Sequence, residues 1–326
     1  FAQWRRPAWA IGALSWPVVL GAGGLAMDSH GSSGMLPVLA SLGLLFFVCT
    51  ALHARLYESR PDAENLTFFY FVMASGGALG GAIPALVAPL VFDWSWEHPL
   101  LVLAALLLLP RDHLPDWRRM PGLDQAMVRL ALGTILICAG LLAWKLAEFA
   151  WSTDAGLLRW SASLVMVLCG LACARPRILA VLILLVTMVA QGGFQTIEDS
   201  WDGIRSRSYF GIYTVRTFEQ AHLRTLTHGS TLHGEQWLEP GLRDVPLTYY
   251  GPTSGAGIVF TAATGLFGQH ARIGVVGLGT GTLACFARAD QDWRFFEIDP
   301  LVERLSQRGT FTFLRDCDRR STSRSE

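Results

Sequence analysis

Ala271-Arg-Ile-Gly-Val-Val-Gly-Leu-Gly-Thr-Gly-Thr-Leu-Ala284, followed by Trp293-Arg-Phe-Phe-Glu-Ile-Asp299, is the stretch on which the fold of the chain turns. Residues 271–276 read as a short strand of the buried type, Gly277–Gly281 as a glycine-rich turn, Thr282–Ala289 as helix-compatible, and residues 293–299 as a second strand. Glycines let a backbone turn sharply and come close to a ligand, and an acid closing the next strand can take both hydroxyls of a ribose. Glu297 lies sixteen residues after Gly281, a spacing that fits such a strand–helix–strand unit. A GxGxG alone is also met as a packing turn, so the flanking strand, helix and acid are what point to nucleoside binding. No Lys followed by Ser or Thr stands at P-loop spacing, and no Arg or Lys in the turn would meet a phosphate. The first feature disfavours a P-loop, and the second suits an S-adenosylmethionine-type ligand better than a dinucleotide.

Upstream, Ser208-Tyr-Phe-Gly-Ile-Tyr-Thr-Val-Arg-Thr-Phe218 is rich in aromatic and β-branched residues, and His222–His228 alternates apolar with polar. Both read as strands of a small antiparallel sheet. His228-Gly-Ser-Thr-Leu-His-Gly-Glu-Gln236 reads as turn-rich and polar, and Gly255–Phe267 as a helix. His228 and His233 lack a third nearby Cys or carboxylate, so hydrogen bonding within the loop accounts for them better than a metal does. The six cysteines, at 49, 138, 169, 173, 285 and 317, form no CxxC pair and indicate neither a disulfide framework nor a zinc site. Cys169 and Cys173 share a helix face, where packing explains them.

Further out, the solvent changes. Of the 326 residues, 52% are hydrophobic and only 16% charged, with 26 basic against 26 acidic side chains. Ordinary soluble domains carry about 25% charge, so a disordered chain is excluded and a single soluble globule disfavoured. The neutral balance points to no nucleic-acid or polyanion partner. Residues 1–194 hold 12 basic and 11 acidic side chains, whereas the shorter remainder holds 14 and 15, with the shift near Gly192–Gly193. A spanning helix needs about 20 apolar residues. Seven runs approach this: Ala8–Met27, Met35–His53, Leu66–Phe92, Pro99–Leu109, Met127–Ala147, Leu157–Ala174 and Ile178–Phe194. The first is too long for a signal peptide and lacks a clear cleavage site, and the fourth is short between Pro99 and Pro110.

The third run carries Gly76/Gly80 and Gly77/Gly81, two overlapping GxxxG pairs, and then Pro84 and Pro89. They suit close helix packing, including a homo-oligomer through this run, or alternatively a broken helix lining a path. Lys145 and Glu148 near the end of the fifth run are explained by snorkelling, and Trp94, Trp96, Trp151 and Trp160 read as an interfacial belt. Arg5 and Arg6, Arg55 and Arg60, Arg111 with Arg118 and Arg119, and Arg175 with Arg177 fall in alternate connections, while 28–34 and 93–98 carry no Lys or Arg. That alternation predicts an N-terminus inside. Seven spans would then leave residues 195–326 outside; a miscount around the third and fourth runs would return them to the cytoplasm, and this second arrangement is the expectation.

The string Gly277–Ala284 with Phe296-Glu-Ile-Asp-Pro300, preceded by Arg207-Ser-Tyr-Phe-Gly211, His228–Gln236 and Thr248-Tyr-Tyr250, resembles the spermidine synthase family, and within it the bacterial membrane-embedded "fused" proteins. Leu56-Tyr-Glu-Ser-Arg-Pro61 and Gly76–Pro89 are similar too, so the resemblance runs to about Cys317. It implies a small β-sheet before a Rossmann-like domain. The implied reaction moves an aminopropyl group from decarboxylated S-adenosylmethionine to putrescine or another amine, with no metal. It also implies that Gly277, Gly279, Thr280, Gly281, Glu297 and Asp299 bind the nucleoside co-substrate and that Gln236 and Tyr250 bind the amine. Gly251 and Pro252 follow Tyr250 where the family has His-Glu, and Thr280 stands where soluble synthases carry Asp. The family's catalytic acid lies on strands after the ribose-binding acid, and residues 318–326 do not resemble that continuation, so no catalytic residue is assigned.

The expected organisation is an α-helical multi-span membrane domain at 1–194 with six to seven spans, a small β-rich part at 195–254, an incomplete Rossmann-like α/β nucleoside-binding part at 255–317, and an irregular tail at 318–326. The expected protein is a multi-pass inner-membrane transferase with impaired turnover in a truncated chain. An S-adenosylmethionine-dependent methyltransferase, or a transporter or scaffold with a nucleoside-binding tail, are the alternatives.

Overall fold

A computed structural model describes residues 5–28, 35–111, 114, 116, 122, 124–149 and 156–317. Trp151, Arg118, Arg119, most of the 28–34 connection and the 318–326 tail lie outside the described residues, as do the side chains of Arg5, Arg6 and Glu148. The chain divides into two compact units, Phe1–Ala88 with Ser95–Trp201, and Pro89–Trp94 with Asp202–Glu326. The division falls after Trp201, seven residues beyond the expected boundary at 194, because the last apolar helix continues past Gly193.

Every one of the seven apolar runs is helical. The elements are α1 (Arg5–Ala22), α2 (Met35–Glu58), α3 (Leu66–Ala82), α4 (Ala88–Val91), α5 (Glu97–Leu108), α6 (Gln125–Phe149), α7 (Gly156–Ala172), α8 (Arg177–Met188) and α9 (Phe194–Trp201). Four stretches are long and apolar enough to cross a membrane: Pro37–Glu58, Ala63–Val91, Gln125–Ala147 and Arg177–Trp201. Trp9–Leu25, Glu97–Leu108 and Trp160–Ala172 are apolar but shorter. In α3 and its continuation, Phe68, Leu79 and Leu90 are 70%, 63% and 72% exposed. Exposed to water, each such side chain would forgo roughly 1.5–3 kcal/mol of burial free energy; lipid removes that penalty, and the chain is read as a membrane protein.

Two π-helical turns interrupt the long helices. Pro84 has no N–H and its ring crowds the preceding turn, and the chain widens over Ile83–Val87 to join α3 to α4 without breaking. A second π turn, Val189–Gly193, joins α8 to α9 with a kink where Gly192 takes φ +114°. A Cβ built at Gly76, Gly77, Gly80 or Gly81 meets no atom within 4 Å, so no described helix of this chain uses the GxxxG face. α8 is apolar around its circumference because it serves two clusters. Leu184 and Met188 pack with Trp16, Leu106 and Leu109, while Ile183 packs with Leu132, Ala139, Met166 and Cys173.

The second unit opens with an antiparallel meander, β1 (Arg205–Ser208), β2 (Gly211–Phe218), β3 (Leu223–His228) and β4 (Thr231–Trp237), in spatial order β1-β2-β3-β4. The polar stretch 228–236, expected as a turn, is mostly β4: only Gly229-Ser230 makes the turn, and Gly234 and Gln236 point inward. Trp94, expected in an interfacial belt, belongs to this unit, where its carbonyl accepts from Arg207 at 2.8 Å and its ring lies 5.7 Å from the Arg205 guanidinium.

Then come α10 (Gly255–Phe267), with Ser254 capping its first turn, β5 (Arg272–Val276), β6 (Asp292–Phe296) and α11 (Pro300–Gln307). β5 and β6 pair in parallel as a two-stranded sheet. The helix expected over 282–289 is only a 3-10 turn, Thr282–Phe286, because the chain becomes extended at Ala287. Contrary to the expectation of no disulfide, Cys285 is bonded to Cys317 with Cα atoms 4.9 Å apart. The pair is 32 residues apart in sequence and meets because the 309–317 segment folds back under the glycine turn. Phe311 and Phe313 are buried there, and Arg224 donates to the Thr310 carbonyl at 2.7 Å.

Candidate functional site

The glycine turn leaves β5 with Gly277 at φ +91° and Gly279 at φ +57°. An L side chain is strained at both angles, which is why the backbone can fold over on itself at the strand end. β6 runs beside β5, and Glu297 follows it directly, so its carboxylate reaches back to the turn. Glu297 Oε2 accepts from Leu278 N at 2.8 Å and Oε1 from Asp299 N at 2.9 Å. A carboxylate offers about four lone-pair positions, so each oxygen retains acceptor capacity after fixing the turn.

Turn and carboxylate form one side of a cavity of 320 Å³ within the second unit. The antiparallel sheet supplies the other side through Tyr213, His228 and His233, with Leu226 and Val302 as the apolar part and Tyr250 at the edge. Tyr213 and His228 are register partners on β2 and β3, and their rings stack at 4.4 Å with 14° between planes. His228 Nε2 lies 3.0 Å from the Phe210 carbonyl, and the His233 ring is 5.4 Å from that of His228.

Burial, then the hydrogen bond to Asp299 and the charges of Asp299 and Glu297, push the Tyr213 phenol well above its usual range, so it is a neutral donor. Burial and the neighbouring His228 lower His233, against an opposing pull from Glu297, and keep its imidazole neutral. The cavity therefore holds an ionic acceptor at the glycine turn and a neutral imidazole and phenol opposite, a set able to bind hydroxyls and to accept or donate a proton.

Of the residues expected to bind ligand, Gly277, Gly279, Glu297 and Tyr250 line the cavity. Thr280, Gly281, Asp299 and Gln236 do not. Thr280 is buried, its hydroxyl 2.7 Å from that of Thr282. Gly281, at φ +86°, sits over Leu314 and Phe313. Asp299 caps α11 through Leu301 N at 2.9 Å and accepts from Ser208 Oγ at 2.5 Å. The Gln236 amide, 1% exposed, donates to the Arg243 carbonyl and Thr312 Oγ1 at 2.8 and 2.9 Å and accepts from Thr312 N at 2.9 Å. Those four pack into the framework around the cavity.

Tyr213, His228 and His233 were absent from the expected ligand-binding set. The period-two alternation of β2 and β3 places Tyr213, Leu226 and His228 on one face, and that was the signal available. No family model, curated protein or solved structure matches the chain.

Proposed function

We propose that the chain binds an adenosine-bearing sulfonium compound, decarboxylated S-adenosylmethionine or S-adenosylmethionine, and transfers an alkyl group from it to a small amine. The observation that carries this reading is the Glu297 carboxylate bonded to the backbone of the glycine turn at the edge of a cavity large enough for a nucleoside. The resemblance to the spermidine synthase family supports aminopropyl transfer to putrescine as the reaction.

The reaction is an in-line displacement at a carbon beside the sulfonium, and it needs the amine aligned and neutral. Neutral His233 suits the second requirement. Glu297 is the sole carboxylate among the described residues lining the cavity. With that acid committed to a ribose, none is left for the far ammonium of a diamine, which favours methyl transfer to another acceptor as the second reading. On either, the protein is a multi-pass inner-membrane transferase that uses no metal.

Calorimetric titration of the full chain in detergent with each of the two sulfonium compounds tests the reading. Binding of either supports it, and preference for the carboxylated compound selects methyl transfer. Glu297→Gln should weaken binding about 10- to 100-fold, the range for hydrogen bonds to a charged partner. If neither compound binds, the nucleoside assignment fails.

A further inference from the structure

We propose that the glycine-turn cavity faces the extracytoplasmic compartment. The identity of the ligand rests on the reading above; the side rests on two other observations.

The first is where the arginines gather. Arg177, at the start of α8, donates to the Leu109 carbonyl at 3.1 Å. Arg175 donates to the Leu114 carbonyl at 3.2 Å and pairs with Asp116 at 3.5 Å. Arg55, near the end of α2, donates to the Leu108 carbonyl at the end of α5. These contacts bring the end of α2, the end of α5 and the start of α8 together at one end of the first unit. Arg60, Arg111, Arg118 and Arg119 adjoin them in sequence.

At the far end of the same helix, Thr196 Oγ1 donates to the Met27 carbonyl at 2.7 Å, and Gly192 packs on the Asp28 backbone. That end adjoins the 28–34 connection, which has no Lys or Arg. Arg177–Trp201 is itself of spanning length, so the two ends lie on opposite sides of the bilayer. The second unit resumes at Asp202, immediately after Trp201, and so emerges from the end remote from the arginines. Lys145 near the end of α6 and Arg159 near the start of α7 are the basic residues toward this end, against the seven arginines just named toward the other. Cytoplasmic connections carry the excess of Lys and Arg; the second unit is therefore outside. The ends of α2 and α5 and the start of α8 at one end agree with the alternation of the seven helices, without the miscounted span that would return this unit to the cytoplasm.

The second observation is the Cys285–Cys317 disulfide. Joining the two thiols releases two protons and two electrons, taken up by the disulfide of an exchange partner that leaves as a dithiol. Such bonds persist outside the cytoplasm, whereas cytosolic thiols are kept reduced. Cys49, Cys138, Cys169 and Cys173, all in helices of the first unit, are free.

The test uses the full chain in right-side-out and inverted membrane vesicles and a membrane-impermeant maleimide, with labelling read against the unsubstituted chain. Ser230→Cys lies in the exposed β3–β4 turn, and Ser59→Cys in the exposed connection after α2. Ser230→Cys should label in right-side-out vesicles and Ser59→Cys in inverted ones. Peptide mapping of the unsubstituted chain, acid-trapped in cells, should find Cys285 joined to Cys317. Reversed labelling, or both thiols recovered free, overturns the proposal. A failed calorimetric titration bears on the ligand alone, so the two failures are told apart.

Discussion

A single methyl group separates Gly234 from a clash. A Cβ there would stand 2.5 Å from Thr280 Oγ1. Thr280 is 2% exposed and bonded to Thr282, so its side chain has nowhere to swing. Gly234→Ala should lower stability by about 1–3 kcal/mol, the usual range for overpacking, measured by thermal unfolding in detergent. An unchanged unfolding temperature would show that β4 is not pressed against the glycine turn. The same contact explains what the sequence concealed. Thr280, Asp299 and Gln236 sit in or near motifs that bind ligands elsewhere, and a polar side chain looks alike in sequence whether it faces a ligand or a neighbour. Gln236 finds Thr312 across 76 positions, a distance no local pattern encodes. Glu297 was legible because its place depends only on closing a strand beside the turn.

Among the elements, α3 is the one whose sequence and surroundings diverge most. Its glycines suit close packing, yet a Cβ at Gly80 meets nothing within 4 Å. Gly80→Ala should therefore leave the thermal stability of the purified chain unchanged or raise it by up to ~1 kcal/mol through helix propensity. A fall in stability would mean that a helix from outside this chain covers the face. Helices such as α10 were legible to the residue because an apolar run met a Ser at its start and a Gly at its end. β4 was not, because His233, Gly234, Glu235 and Gln236 hide a strand within polar residues whose burial depends on partners across the sheet. The 3-10 turn after Gly281 was missed for a related reason. Its apolar residues suit a helix, but the extended geometry at Ala287 stops it.

At the scale of the whole molecule, an even balance of 26 basic and 26 acidic side chains says nothing until the charges are placed. Placed, they give one end of the helical unit a sign. The membrane half was legible from hydropathy because lipid demands length and apolarity of every crossing helix. The pairing of Cys285 with Cys317 was not, since it depends on a chain reversal. That bond also acts on a state in which no cavity exists. It ties off the chain from the end of the glycine turn through Glu297 and α11, a separation of 32 residues, and denies that length much of its freedom when unfolded. Loop-closure entropy for such a length favours the folded form by roughly 4 kcal/mol. Calorimetric scans with and without reductant should lower one unfolding transition and leave the other, that of the helical unit and its free thiols, in place; an equal shift of both would mean that the two units melt as one. The segment that carries Glu297 is thus held ready by constraining its disorder rather than by adding to its order.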